Sequence, residues 1–137
     1  MSVLVDSNIW FEVLRKPNEA TSEFAIVLKN LILEHQVQLI GAIRQEVLSG
    51  VRDASKFSQF KNTLSGFTDR LPSTTEYEQA AAMFNLFRSN GIQASATDCL
   101  ICACSLAWNQ PILTKDNDFL LYQKHIPLRL YGLEPII

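Results

Sequence analysis

Residues 3–10, VLVDSNIW, decide how the rest of the chain is read. Val3, Leu4 and Val5 form a short apolar, largely β-branched run, the pattern of a central strand in a parallel sheet that must be covered on both faces. Asp6 ends the run abruptly and is therefore expected at the carboxyl end of that strand. Ligands of open α/β sheets bind at that edge, so the acid has two readings: a cap for the helical segment Ile9–Leu14, or a residue of a site. Taken alone, Asp6 reads more readily as a cap.

Working outward, Ser22–Glu34 carries Phe24, Val27, Leu28, Leu31 and Ile32 at helical spacing, with Ser22 as its cap. VQLIGA, residues 37–42, reads as a second strand. Ile43–Gly50 is a short helix with Ile43, Val47 and Leu48 on its stripe and a glycine suited to a C-terminal cap; Glu46 lies on it, off the stripe. Ala54–Leu64 is a further helix. A loop with a possible strand around Phe67 leads to a long helix over Thr75–Asn90, ended by Gly91. Thr97 caps a helix reaching Trp108 that is apolar on nearly every side and so should be buried, with Asp98 in its first turn. Pro111–Thr114 is a third strand, KDNDF (115–119) follows it, and Leu128–Tyr131 offers one more strand. Alternating strands and helices predict a three-layer α/β/α fold around a parallel sheet. At 137 residues and 47% hydrophobic content the chain is expected to be one domain, 1–137.

Composition excludes several classes. No window approaches the roughly 18 apolar residues of a membrane span, and no basic region precedes an apolar stretch at the N-terminus, so a soluble cytoplasmic protein is expected. Cys99, Cys102 and Cys104 are an odd count within one buried helix, which reads as core and suits a reducing compartment. Their C-x-x-C lacks the second pair or His-rich segment that a zinc site needs. His35 and His125 are isolated, and Phe84, Phe87 and Trp108 fit helix core faces better than base-stacking platforms. The net charge is −2, which does not announce a nucleic-acid binder. Setting aside Asp6, Glu46, Asp98, Asp116 and Asp118 leaves nine of the 14 acids against 12 Lys and Arg, so the remainder is mildly basic, at +3.

Those five acids share a place. Parallel strands put their carboxyl ends on one edge, so Asp6 after the first strand and Asp116 with Asp118 after the third lie together. The amino ends of the crossover helices lie at the same edge, which admits Asp98, and Glu46 if its helix begins there. Two carboxylates about 5 Å apart at an effective dielectric near 20 repel by roughly 3 kcal/mol. Either some of them hold protons, or a divalent cation sits among them; hard oxygen ligands suit Mg²⁺ or Mn²⁺. Such an ion positions and activates water and stabilises charge on a phosphate during hydrolysis. Independent caps have no reason to cluster in this way, so the site reading overtakes the cap reading, with Glu46 its weakest member.

VDSN (5–8), RQEVLSG (44–50), TDCLICA (97–103) and LTKDNDF (113–119) resemble, in order, the four acidic motifs of the PIN-domain ribonucleases. In length the chain is similar to the VapC-type toxins of bacterial and archaeal toxin–antitoxin pairs. The resemblance implies a metal-dependent endoribonuclease acting on RNA with Mg²⁺ or Mn²⁺. It places the catalytic acids on Asp6, Glu46, Asp98 and Asp116, with Asp6, Asp98 and Asp116 holding metal. Asn8 and Thr114 are supporting polar residues, Asp118 competes with Asp116 for the last place, and Ser7 stands where many members have threonine. It further implies a VapB-like antitoxin partner and a homodimer. Two rivals are an aspartate-nucleophile phosphatase using Asp6, whose second acid would fall where this chain has Asn8, and a catalytically silent RNA- or protein-binding domain of the same fold.

Overall fold

In the computed structural model, residues 1–15 and 22–132 are described. β1 (Val3–Val5) is wholly buried and central, with β2 (Val37–Gln38) on one side and β3 (Ile112–Leu113) on the other. Both pairings are parallel, with Val3 opposite Val37 and Leu4 opposite Ile112. Among the described residues seven helices surround the sheet: α1 (Ser7–Arg15), α2 (Glu23–Leu33), α3 (Gly41–Ser49), α4 (Ala54–Leu64), α5 (Thr74–Ser89), α6 (Ala96–Trp108) and α7 (Asp118–Tyr122). The architecture is the expected three-layer α/β/α arrangement around a parallel sheet. β1 is covered on both faces, as an unbroken apolar strand requires.

Several boundaries differ from the sequence expectation, each for a local reason. β2 stops at Gln38 because Ile40 already caps α3: its carbonyl accepts from the amides of Ile43 and Arg44, at 3.1 Å each. No strand forms at Phe67. The Arg44 guanidinium takes the Leu64 and Phe67 carbonyls at 2.9 and 2.7 Å and pairs with Asp69, leaving only one bridge between Leu39 and Asp69. The strand expected over Leu128–Tyr131 is likewise one bridge, Ile112 to Leu130, since the Leu128 amide turns back to the Ile126 carbonyl. The cap of α6 is Ser95, not Thr97; the Ser95 hydroxyl accepts from the Asp98 amide at 3.0 Å. Gly50 follows α3 with φ −81°, a conformation open to any residue. Its missing side chain serves packing instead: a Cβ there would lie 2.3 Å from Phe11 Cζ. Gly91, at φ +76°, does end α5 in the left-handed region.

α6 is the buried helix that its composition predicts, with Cys99 to Ser105 all inside, and α5 packs along it. The three cysteines are free, and burial pushes the thiols of Cys99 and Cys104 up to about 11 and 12. They stay protonated at neutral pH and serve as core. No helix among the described residues is long and apolar enough to cross a membrane.

Candidate metal centre

Asp6 stands where β1 gives way to α1. Its amide still pairs with the sheet, donating to the Leu113 carbonyl at 2.9 Å, while its carbonyl accepts from the amides of Ile9 and Trp10 and starts α1. Its carboxylate is buried at the sheet edge. Oδ1 accepts from the Ser7 amide at 2.7 Å, and Oδ2 accepts from Thr114 Oγ1 at 2.8 Å and Asn8 Nδ2 at 3.3 Å. Thr114 is the first residue after β3, so its hydroxyl ties the ends of β1 and β3 together.

Asn8 and Thr114 carry the lacing further. Asn8 Nδ2 also reaches Thr114 Oγ1 at 3.3 Å, its Oδ1 accepts from the Lys115 amide at 3.1 Å, and Thr114 Oγ1 accepts from the Asp116 amide at 3.0 Å. Asp116 Oδ1 in turn accepts from the Asp118 amide at 2.9 Å. These two polar residues, expected to support the acids, thus fix where the segment 115–118 runs. Glu46 joins through Ser7, whose hydroxyl donates to Glu46 Oε1. Either serine or threonine supplies that hydroxyl, so the substitution at position 7 leaves the contact intact.

Asp98, Asp116 and Asp118 each present a carboxylate oxygen within 4.8 Å of the others. Asp6 lies behind this trio with both oxygens occupied by donors, close enough that its charge, with those of Asp116 and Glu46, raises the Asp98 carboxyl. The structure therefore brings all five acids to one edge, three of them as a compact group that includes Asp118.

Tyr122 is the residue that the sequence reading missed. Its hydroxyl donates to Asp98 Oδ2 at 2.8 Å from the end of α7, and its ring, almost fully buried, stacks on Phe87 at 4.7 Å and meets Phe119 edge-on at 5.1 Å. A tyrosine 24 residues from its partner in sequence gives no local signal; only the fold, which seats the Tyr122 ring against Phe87, makes the pair.

Electrostatics expose an imbalance. Burial is the largest cause raising the Asp6 carboxyl above the ordinary value, partly offset by the Thr114 and Ser7 hydrogen bonds. Burial likewise dominates at Asp98, pushed up to about 6 against the lowering effect of Tyr122. The neighbouring ion pairs, Lys115 with Glu12 at 3.5 Å and Arg44 with Asp69 at 3.0 Å, leave these carboxylates out. An all-oxygen donor set, two of whose members, Asp6 and Asp98, are raised by burial and by neighbouring carboxylates, fits a hard divalent cation, which would relieve both effects. Among the described residues the candidate metal-holding group contains no cysteine or histidine.

Comparison with known proteins bears on this arrangement. A family model described as the PIN domain matches residues 3–124. No curated protein matches the sequence. Among solved structures, the chain is similar to one from the VapBC2 complex of Rickettsia felis bound to a DNA fragment from its promoter. The TM-score is 0.74 at 16% identity, covering 98% of this chain and 100% of that one. It is similar to a chain of FitAcB from Neisseria gonorrhoeae, with TM-score 0.71 at 18% identity over 95% of this chain and 96% of that one. A chain of a toxin–antitoxin complex from Klebsiella pneumoniae gives TM-score 0.67 at 19% identity over 98% and 100%. At these identities the likeness is one of fold.

Proposed function

The chain belongs to the PIN-domain family, and from that premise we propose that it is a metal-dependent endoribonuclease, the toxin of a type II toxin–antitoxin pair. The observation that carries the reading is the convergence of Asp6, Glu46, Asp98, Asp116 and Asp118 on one sheet edge, with no ion pair to any of them among the described residues. Asp98 and Asp116 hold the ion directly in this reading, and Asp6 completes the site from the end of β1. Glu46 is the further catalytic acid, held by the Ser7 hydroxyl.

Mg²⁺ or Mn²⁺ bound here supplies charge neutralisation at the scissile phosphate and an activated water. The chain's own groups do the rest. Asn8 and Thr114 orient Asp6 by donating to its Oδ2. Tyr122 holds Oδ2 of Asp98, so the other oxygen of that carboxylate is the freer ligand. Glu46, half-buried and held by Ser7, is in this reading the group that would take a proton from the attacking water. An aspartate nucleophile is the weaker alternative, because both Asp6 oxygens already accept hydrogen bonds and residue 8 offers an amide in place of a second acid. The silent-domain alternative leaves the repulsion within the acid cluster without a purpose.

The structural neighbours from VapBC2 and the Klebsiella toxin–antitoxin complex support a partner of the antitoxin type for this chain, and a homodimer in the cytoplasm belongs to the same proposal. An arginine or lysine from that inhibitor would neutralise the acid cluster much as the ion does. The test is incubation of the purified chain, freed of any bound inhibitor, with total RNA and Mn²⁺ or Mg²⁺, followed by mapping of the cut ends. Discrete ends that vanish with chelator support the reading. Intact RNA under both metals contradicts it.

A further inference from the structure

Beside the carboxylates lies a cleft of about 790 Å³ between α1 and the start of α4. Its floor is apolar: Phe11 lies over the backbone of Gly50, a placement that any Cβ at position 50 would block. Its walls are cationic. Arg15 comes from the end of α1, Arg52 and Lys56 from the entry to α4, and Lys115 from the segment that carries Asp116. Two acids also line the cleft, and both are engaged: Glu12 with Lys115 at 3.5 Å, and Asp53 as the α4 cap, accepting from the Lys56 amide at 3.1 Å. Among the described residues, no carboxylate within 4 Å pairs with Arg15, Arg52 or Lys56.

A chain of net charge −2 thus gathers unpaired cations at one place, at a cost in mutual repulsion that a bound polyanion would remove. The cleft adjoins the carboxylate cluster through two of its lining residues, Asn8 and Lys115. Asn8 lines it and donates to Asp6 Oδ2, and the Lys115 amide donates to Asn8 Oδ1. We propose that this cleft is the track for the phosphodiester backbone of single-stranded RNA on one side of the scissile bond, with Arg15, Arg52 and Lys56 as phosphate contacts. The proposal rests on the nuclease reading above. Cations drawn from separate segments above an apolar floor, leading to the hydrolytic site, match a strand with one charge per nucleotide whose reactive bond must reach that site. A blocking protein segment needs no such continuity.

The experiment measures binding of a fluorescein-labelled, mixed-sequence single-stranded RNA to the full chain, freed of inhibitor and kept in EDTA, by anisotropy across a salt series. Arg52→Gln with Lys56→Gln removes two contacts at exposed positions; Lys61→Gln with Lys124→Gln removes the same charge outside the cleft. Each phosphate contact contributes about 0.7 to the slope of log affinity against log salt, so the cleft pair should lower the slope by about 1.4 and weaken binding roughly 25-fold at 0.1 M salt. The control pair should bind as wild type. With Mn²⁺ present, the cleft pair should raise KM and leave kcat at saturating RNA unchanged.

Equal affinity and slope for the cleft and control pairs overturn the proposal. So does loss of inhibitor binding with RNA binding unchanged, which would make the cleft a protein dock. Because the binding arm needs no metal and no turnover, the two readings fail separately. RNA bound through the cleft but never cut upholds the track and sinks the nuclease, whereas RNA cut without dependence on the cleft does the reverse.

Discussion

Replacing Tyr122 by phenylalanine removes one oxygen atom and, with it, the donor 2.8 Å from Asp98 Oδ2. The ring stays, and so should its stacking on Phe87 and its edge contact with Phe119. The substitution therefore separates hydrogen bonding from packing. The tyrosine is a dependable donor, since burial and the Asp98 carboxylate both push its phenol well above the ordinary range. A hydrogen bond to a charged group contributes about 1.5–3 kcal/mol, and loss of a group that orients a metal-binding side chain costs about 10–100-fold in metal affinity, or about 1.4–2.7 kcal/mol. The two ranges agree, so Mn²⁺ affinity should fall about 10–100-fold. Calorimetric titration of metal-free protein reads this directly, and manganese electron paramagnetic resonance gives a second readout. RNA cleavage should recover most of its rate at saturating Mn²⁺. Wild-type Mn²⁺ affinity in a folded Tyr122→Phe protein would refute the reasoning, because Asp98 would then need no fixed orientation to hold the ion.

Three further outcomes follow from the same geometry. Asp6→Asn or Asp98→Asn should abolish RNA cleavage while the metal-free melting temperature stays level or rises, since each change relieves a burial penalty and a repulsion; cleavage at the wild-type rate would remove that residue from the site. Asp116→Asn should cost activity by orders of magnitude at limiting Mn²⁺, and Asp118→Asn less, because Asp118 also begins α7, where a negative charge contributes about 0.3–1 kcal/mol; greater damage from Asp118→Asn at both limiting and saturating metal would reverse their roles. In metal-free protein, the Asp98 carboxyl at about 6 keeps a proton that the unfolded chain, at 3.8, has lost. Stability should therefore fall as pH rises from about 4 to about 6 and level off above, while Mn²⁺ affinity should drop about tenfold per unit below pH 6; thermal melts and Mn²⁺ titrations across pH 4–8 check both slopes.

The parts legible in the sequence were those whose signal is local. Val3–Val5 and the Cys99–Ser105 stretch announce buried elements by composition, and an acid beside each, Asp6 after the first and Asp98 before the second, marks the sheet edge. What the sequence hides depends on partners distant along the chain. Tyr122 meets Asp98, Ser7 meets Glu46, and the cations of the cleft come from segments around residues 15, 52–56 and 115. The edge strands were overread because Val37 and Ile40 in 37–42 and the alternating Leu128, Leu130 and Tyr131 in 128–131 carry strand propensity, while a helix start and turn hydrogen bonds claim their backbones. The Ser95 cap escaped because Thr97, two residues on, has equal capping chemistry and stands nearer to the apolar run. Gly50 was read for its backbone freedom, whereas the space it leaves for Phe11 is its role.

The central claim is that the acid cluster is a metal centre, and anomalous scattering from crystals grown with Mn²⁺ tests it most directly. The expected result is a manganese peak among Asp98, Asp116 and Asp6, within about 2.0–2.6 Å of carboxylate oxygens from Asp98 and Asp116, that disappears in Asp98→Asn crystals grown in the same way. A peak that lies elsewhere, or one that persists undiminished without the Asp98 carboxylate, would contradict the account.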